Sequence, residues 1–422
     1  MKTHKHYILK LLCCLSLLLS ISFGAQAQKF RTETYSDKVK TLRVNLVDDW
    51  QAAPYIELEG DALVAISFDI LGTREEIYTY TLTHCNADWT PSSLLQPEFM
   101  NGFQNRIIDD YALSVGTSMS YVNYRIEFPN EDVYLKISGN YAVQVFPENS
   151  DEPILCACFS VVEKQVDIDM QVTTQTDKGM NNFFQQVGFT LNCGDIVKNP
   201  MNDLKVYVLQ NERRDNMAPL IKPLHIQNNK LTYQHIPEMI FEAGNEYRKF
   251  EMTSRHFNGL NIESMQFYSP YYHVTLKPDI VRSELSYSYY EDINGRIYIR
   301  TLDGTDFDTE ADYYFVHFFL PAQKPFTENV YILSQAFNNL LDEQSRMEYS
   351  QSDGGYIKTA IMKEGYYNYL FVTKRNTNSP ASLATIEGNF YQTENEYRVL
   401  VYFRRAGDRF DRLIGTQTIQ FF

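Results

Sequence analysis

Residues 121–128 read YVNYRIEF, and this stretch shows most directly how the chain folds. Apolar and polar side chains alternate along it, which places the apolar ones on one face of an extended backbone and the polar ones on the other. Pro129 and Asn130 then end the segment, because proline has no backbone N–H for a sheet hydrogen bond. The stretch therefore predicts a half-buried β-strand.

Similar segments occur along the whole chain, separated by turn residues at the spacing of β-sandwich proteins. Around the opening stretch they cover residues 62–70, 78–83, 141–146 and 154–162. We expect 62–70 and 78–83 to pair with each other across residues 72–75. The composition agrees, since 31 Tyr and 27 Phe against only 12 Met favour sheets over helix bundles.

The predicted fold class is all-β, with about three tandem immunoglobulin-like β-sandwich domains. About 395 residues remain after a predicted leader, more than one hydrophobic core usually supports. We expect a signal peptide at 1–27 and sandwiches at 28–163, 164–279 and 280–422. The strands expected in the second sandwich are 167–173, 187–191, 204–210, 231–235, 246–253 and 271–276. Those expected in the third are 285–290, 296–301, 313–320, 330–333, 356–361, 367–373, 398–403 and 419–422.

Asn294 and Gly295 form the strongest hairpin signal in the chain, because both residue types accept a positive φ. They stand between the alternating segments 285–290 and 296–301. The sequence therefore predicts that these two segments pair as a hairpin.

The N-terminus has the three parts of an export signal. Lys2, Lys5 and Lys10 form a basic leader, 8–23 is mainly apolar, and Ala25-Gln26-Ala27 is an A-x-A cleavage site. The mature chain contains no further apolar run long enough for a membrane-spanning helix. Loss of the leader lysines lowers the net charge from -15 to -18, which argues against nucleic acid and anionic lipid surfaces as partners.

Residues 84–89 read HCNADW and raise the question of a reactive site. His84 and Cys85 are neighbours, so in an extended segment they point to opposite faces and cannot form a local nucleophile–base pair. We interpret the run as a corner of the first sandwich. Trp89 is expected to be its apolar anchor, and Asp88 and Asn86 are expected to bond turn amides.

Four cysteines lie outside the leader: Cys85, Cys156, Cys158 and Cys193. Export to an oxidising compartment permits disulfides, but Cys156 and Cys158 lie at i and i+2 on one strand, with the wrong geometry for each other. We interpret the thiols as small buried apolar groups. The alternative is a disulfide that includes Cys156 or Cys158, and the sequence leaves the pairing open.

The motifs of common enzyme classes are missing. The histidines show no HExxH or i, i+4 spacing, and no C-x-x-C, G-x-S-x-G or P-loop sequence occurs. We therefore predict no catalytic residues, no cofactor and no small-molecule substrate. Asp303, Asp306 and Asp308 crowd one loop and are candidate calcium ligands, although the spacing departs from an EF-hand and a solvated acidic turn is the favoured interpretation.

Four arginines lie close together near the C-terminus: Arg404, Arg405, Arg409 and Arg412. Arginine makes bidentate contacts with carboxylates, so the group is a candidate docking patch for a partner. Pairing within the chain, with Asp408 and Asp411, is the competing interpretation.

Several of these runs resemble the plug protein of the bacterial type IX secretion system. They are 84–89, 102–103, 108–111, 138–141, 292–295, 364–369, 387–389 and 393–402. The resemblance covers about 35–422, and the positions that carry it include His84, Cys85, Asp88, Trp89, Asn294 and Gly295. It implies a non-enzymatic periplasmic protein, associated with the inner face of the outer membrane, that closes the translocon barrel when no cargo is present.

A second likeness supports an alternative function. Val330-Tyr331-Ile332 followed by Phe337-Asn338-Asn339-Leu340 looks like part of an immunoglobulin-like carbohydrate-binding module. Such modules usually carry an aromatic residue where Leu340 stands, so the stacking surface is missing. The alternative is a periplasmic or surface module that binds glycan or peptide.

Overall fold

A computed structural model describes residues 28–376 and 379–422. Within them the chain consists of β-strands and loops, with helical turns only at Gln96–Phe99, Pro200–Asp203, Pro237–Met239 and Gln335–Phe337. The predicted all-β fold class is confirmed. The predicted signal peptide, 1–27, lies outside the described residues. In the described part, no helix has the length and apolar character needed to cross a membrane.

The first sandwich contains twelve strands. They are β1 (Glu33–Thr34), β2 (Val39–Leu46), β3 (Tyr55–Glu57), β4 (Val64–Leu71), β5 (Tyr78–Cys85), β6 (Met100–Gly102), β7 (Arg106–Ile107), β8 (Tyr111–Leu113), β9 (Tyr121–Phe128), β10 (Val133–Leu135), β11 (Gly139–Pro147) and β12 (Leu155–Val162). One sheet has the order β1-β12-β11-β5-β7, with β3 beside β12, and the facing sheet has the order β2-β4-β9-β8. Stacked rings such as Phe128 and Phe159, 5.6 Å apart, fill the space between them.

The predicted pairing of 62–70 with 78–83 is wrong. β4 lies between β2 and β9 in one sheet, whereas β5 pairs with β11 and β7 in the other. β4 has almost every residue buried, as a strand at the centre of a sheet and covered on both faces requires. The connection after β4 therefore crosses between the two sheets.

Nineteen further strands follow. They are β13 (Asp167–Thr173), β14 (Gln175–Thr176), β15 (Gly179–Met180), β16 (Phe184–Asn192), β17 (Leu204–Gln210), β18 (His225–Gln227), β19 (Lys230–Tyr233), β20 (Ile240–Glu242), β21 (Arg248–Met252), β22 (Ile262–Tyr268), β23 (Tyr271–Leu276), β24 (Ile297–Ile299), β25 (Tyr313–Pro321), β26 (Asn329–Leu333), β27 (Glu348–Ser350), β28 (Gly355–Lys363), β29 (Gly365–Lys374), β30 (Asn395–Phe403) and β31 (Arg412–Phe421).

The second sandwich includes the last two strands of the chain, β30 and β31. One of its sheets has the order β13-β16-β19-β18, and the other is β17-β30-β31. β17 pairs with β30 along its whole length, and Val206, Val208 and Val399 share one core with Phe189 of the facing sheet. Residues 280–422 therefore do not form one sandwich by themselves, and the boundary predicted at 280 does not follow the strand pairing.

Along the chain, the strands of the third sandwich lie between the two parts of the second. Its sheets are β22-β23-β25-β28-β27 and β21-β29-β24, with β26 also beside β29. The segments 246–253 and 271–276 thus contribute strands to the third sandwich, not to the second as expected. We propose that the domains are 28–163, 164–247 with 388–422, and 248–387.

The predicted hairpin at Asn294 and Gly295 is wrong, although the turn itself forms. Both residues have positive φ, 51° and 81°, and strand β24 begins two residues later. Residues 285–290 form no strand, because their side chains bond a polar cluster instead. Tyr287 Oη donates to Glu246, and the Arg282 guanidinium donates to Tyr290 Oη.

Candidate functional site

The run 84–89 forms a tight corner at the end of β5. The backbone N–H of Trp89 donates to the carbonyl of Asn86 at 2.9 Å, and Trp89 has a φ of 67°. Asp88 Oδ1 accepts bonds from the backbone N–H and the hydroxyl of Thr90, at 3.1 and 2.7 Å. The Asn86 side chain donates to Thr90 Oγ1 and to the Pro91 carbonyl. The corner is held by its own polar side chains.

His84 is a buried structural residue in this corner. Its Nδ1 lies 3.0 Å from Ser92 Oγ, and its Nε2 lies 3.2 Å from the Ser138 carbonyl oxygen. Burial lowers the pKa of His84 to about 4. The backbone must come close here, because a Cβ on Gly139, which has a φ of 138°, would lie 2.4 Å from His84 Nε2. Both ring nitrogens have protein partners, and the side chain is buried.

Cys85 and Trp89 belong to a separate apolar cluster. Cys85 packs with Cys156, Cys158, Phe30 and Ala142, and Trp89 covers the cluster. Burial raises the pKa of the Cys85 thiol well above its usual range, which keeps it uncharged and unreactive. All four cysteines outside the leader are buried and unbridged, including Cys193 in the core of the second sandwich.

The corner also joins the first sandwich to the second, and we call this region the first–second contact. The backbone N–H of Ala87 donates to Asp411 Oδ2 at 2.9 Å. Asp411 is fully buried, and its cationic partners are Lys205, at 2.8 Å, and Arg404, at 3.3 Å. Around these groups Tyr402, with Tyr207, Leu209, Leu400, Leu413, Val162 and Ala87, forms an apolar cluster.

The C-terminal arginines have different environments. Arg404 donates to Asn86 Oδ1 at 2.7 Å and pairs with Asp411, while Arg409 pairs with Glu98 of the first sandwich. The guanidinium groups of Arg405 and Arg412 lie over Phe403 and Phe410, at 5.5 and 5.4 Å from the ring centroids. Two of the four arginines therefore take part in contacts with the first sandwich. A docking role for the group stays a prediction.

The aspartates proposed as calcium ligands point to separate partners. Asp303 accepts from Ser254 Oγ at 2.8 Å, Asp306 accepts from Thr309 Oγ1 at 2.7 Å, and Asp308 pairs with Arg43 at 2.5 Å. Residues 28–376 and 379–422 contain no group of three or more His, Cys, Asp or Glu side chains placed to hold a metal ion. Hydrogen bonds and an ion pair with other protein groups brace this loop.

A second buried polar contact joins the first sandwich to the third, and we call it the first–third contact. Lys363 Nζ donates to Asp69 Oδ2 at 2.7 Å, and both side chains are almost fully buried. Tyr313 Oη donates to the same oxygen at 2.6 Å, and Asn123 Nδ2 donates to Asp69 Oδ1 at 2.7 Å. Lys363 Nζ also lies 4.2 Å from the ring centroid of Tyr121. The carboxylate is thus bonded from both domains.

The side of the first sandwich where both of its sheets end carries exposed apolar side chains beside charged ones such as Arg106 and Asp109, and we call it the open edge. The edge strands are β7 in one sheet and β8 in the other, and each pairs with a neighbour on one side only. The exposed large apolar side chains on these two strands and elsewhere between residues 95 and 134 are Leu95, Phe103, Ile107, Tyr111, Leu113, Val115 and Tyr134. Phe103 is the most exposed of them, at 75%.

Comparison with known proteins identifies the relatives of this chain. The family model described as the type 9 secretion system plug protein 1st domain matches residues 39–163. A crystal structure of a hypothetical protein from Parabacteroides merdae ATCC 43184 is 44% identical, with a TM-score of 0.92, and the match covers 93% of this chain and 100% of that one. The chain belongs to the type 9 secretion system plug protein family. A search of curated proteins found no match.

The plug-family match contains both the corner at 84–89 and the open edge. Sequence reasoning singled out the corner because it is dense in polar and aromatic residue types. It did not single out Phe103, Ile107 or Leu113. A strand at the edge of a sheet has the same alternation as a central one, so no local signal distinguishes an exposed apolar residue from a buried one.

Proposed function

We propose that this protein closes the periplasmic opening of the outer-membrane translocon of the type 9 secretion system when no cargo occupies the translocon. Its membership of the plug family, with the match over residues 39–163, carries the proposal. The family is a structural component of a secretion system, and closing a wide aqueous pore needs a folded body, not a reactive group. The proposed location is the periplasm, at the inner face of the outer membrane.

The way the sandwiches are joined supports a closing role. The first sandwich contacts both of the others through buried polar groups, Asp69 with Lys363 on one side and Asp411 with Ala87 on the other. Buried hydrogen-bonded groups fix the relative orientation of the surfaces that carry them, because misaligned partners would be left unsatisfied. A body held in this way keeps its shape against an opening.

The open edge suits the contact with the translocon rim. Exposed apolar patches and unprotected edge strands usually mark places where a partner binds, since a monomer otherwise covers or charges them. β8 has all three of its residues exposed, including Tyr111 and Leu113, while Ile107 lies on β7 and Phe103 lies three residues before that strand. A partner strand could add to this edge through main-chain hydrogen bonds while apolar side chains pack beside it.

The test combines a deletion with a surface substitution. Cells that lack the protein are expected to admit large antibiotics through the outer membrane while cargo export continues. In cells that carry the substituted protein Phe103→Asp/Ile107→Asp, we expect the same permeability, and the tagged protein should no longer co-purify with the translocon barrel.

The control is Phe257→Asp, which makes one such substitution at a 52% exposed phenylalanine of the third sandwich. This variant should co-purify and restore the barrier. Unchanged permeability in the deletion would contradict the closing role. Normal co-purification of the doubly substituted protein would contradict the open edge as the contact, while leaving the closing role standing.

A further inference from the structure

A pocket lies where all three sandwiches meet. Its volume is about 160 Å³, and its walls include Trp50 and Trp89 from the first sandwich, Arg214 from the second and Asn294 from the third. The sequence contains only two tryptophans, and both line this pocket. An engineered cavity of about 150 Å³ holds a benzene-sized molecule, so the pocket has room for one aromatic or branched side chain.

Asn294 lines the pocket, and its side chain carries an unpaired polar atom. The residue is only 9% exposed, and its side-chain oxygen is buried without a hydrogen-bond partner. Its φ of 51° follows from the turn before β24, which fixes where the side chain sits. A buried acceptor without a donor costs free energy, so a ligand N–H that reaches this oxygen would be bound favourably.

Arg214 presents an unpaired cation to the same pocket. It follows a turn in which Asn211 and Glu212 both have positive φ, 50° and 56°, and its guanidinium carbon lies 4.2 Å from the centroid of the Trp89 ring. Within 28–376 and 379–422, Arg214 makes no ion pair or side-chain hydrogen bond. By contrast, Arg296 of the same pocket is paired with Glu396 at 3.0 Å. The N–H groups of the Arg214 guanidinium are therefore available to an acceptor on a ligand.

The pocket chemistry favours a carboxylate over a sugar. Sugars bind by stacking on free aromatic faces, but Trp50 already contacts Tyr298 at 4.5 Å, and Trp89 already carries the Arg214 guanidinium. An arginine fork binds a carboxylate with two parallel hydrogen bonds. The side-chain amide of Asn294 lines the same pocket and suits a peptide N–H, because a carboxylate and a peptide N–H occur together at the C-terminal end of a polypeptide.

We propose that this pocket binds the C-terminal end of a peptide. Arg214 holds the terminal carboxylate, Asn294 Oδ1 accepts a peptide N–H, and the last side chain fills the space beside Trp50 and Trp89. The site faces the junction and is separate from the open edge. It therefore goes beyond the proposed closing role and does not depend on it.

The two tryptophans provide a reporter, because their fluorescence reports on this pocket alone. The probe is acetyl-Ala-Ala-Phe with a free carboxylate, and its C-terminal amide is the uncharged match. We expect saturable quenching and calorimetric binding with the acid and none with the amide. Arg214→Gln should weaken binding about tenfold or more, as loss of a charge-assisted hydrogen bond implies.

Two further variants separate binding from folding. Asn294→Asp tolerates the positive φ but places a negative charge beside the ligand carboxylate, so it should also weaken binding. Arg375→Gln removes an arginine that is 79% exposed and lies outside the pocket, and it should bind as the natural chain does. Equal binding of acid and amide, binding of acid to Arg214→Gln at full strength, or a response to neutral saccharides alone would each overturn the proposal.

Discussion

The first–third and first–second contacts each centre on a buried carboxylate, but the two carboxylates are neutralised differently. Asp69 is 1% exposed and Asp411 is fully buried. The cation for Asp69 is Lys363, which has no exposed surface. The cations for Asp411 are Lys205 and Arg404, and about a third of each side chain reaches solvent.

This difference in the exposure of the cations shows which of the two contacts depends more on its cation. In the first–third contact water cannot replace Lys363, and the next cation, Arg43, is bonded to Ser67 and Asp308. In the first–second contact a lost cation leaves a second cation, a backbone N–H and nearby solvent to stabilise Asp411. Removing one partner of a buried ion pair lowers stability far more than removing one partner of an exposed pair does. The first–third contact is therefore the more demanding of the two.

Removal of the buried cation is the strongest test of this difference. Lys363→Met keeps the length of the side chain but leaves Asp69 with only the hydrogen bonds from Tyr313 and Asn123. We expect a loss of about 3–5 kcal/mol in the free energy of unfolding, as found when one partner of a buried pair is deleted. Urea denaturation followed by circular dichroism measures it.

Two further variants provide the controls for Lys363→Met. Lys324→Met, at an exposed loop position, should leave the stability within about 0.5 kcal/mol. Adding Asp69→Asn to Lys363→Met should recover much of the loss, because no charge is then left buried. A loss from Lys363→Met no greater than that from Lys324→Met would remove the distinction between the contacts.

The strands themselves could be predicted from sequence. β9, β17 and β23 have the bounds that alternation gave, residues 121–128, 204–210 and 271–276. Strand formation depends on short-range alternation of apolar and polar side chains, which a single sequence displays. The corner at 84–89 was predictable in part: Asp88 bonds a turn amide as expected, that of Thr90, whereas Asn86 bonds the Thr90 hydroxyl and the Pro91 carbonyl.

The pairing of strands and of charges could not be predicted in this way. Lys363 is 294 residues from Asp69, and Ala87 is 324 residues from Asp411. Nothing near Leu204 indicates that β17 pairs with β30 instead of with a neighbouring segment. The Asn294-Gly295 turn likewise formed without its hairpin, because the tyrosines at 287 and 290 found polar partners elsewhere in the chain. Tertiary contacts decided these points.

Acid should weaken the first–second contact through His84. Burial lowers the pKa of His84 to about 4, below its ordinary value of 6.5, and its ring packs 5.3 Å from that of Phe410. The unfolded chain therefore binds a proton before the folded one does, so stability is full above about pH 6.5 and falls towards pH 4. Between pH 7 and pH 5 the loss from this group is about 2 kcal/mol.

The contribution of His84 is obtained by difference, since other groups titrate in the same range. His84→Gln is expected to be less stable than the natural chain at pH 7, and the gap should narrow by about 2 kcal/mol at pH 5. Urea denaturation at both pH values measures the gap. A stability difference that is the same at both pH values would show that protonation of His84 does not contribute to the loss of stability in acid.

Removal of a solvent-reaching cation should have the smallest effect. Lys205→Met leaves Asp411 with the Ala87 N–H and with Arg404 at 3.3 Å, and water can reach the place of the lost ammonium group. We expect a loss of about 0.5 kcal/mol, close to that of an exposed pair. The same urea denaturation measures it beside Lys363→Met. A loss as large as the one from Lys363→Met would show that burial of the carboxylate, and not burial of its cation, sets the cost of breaking these contacts.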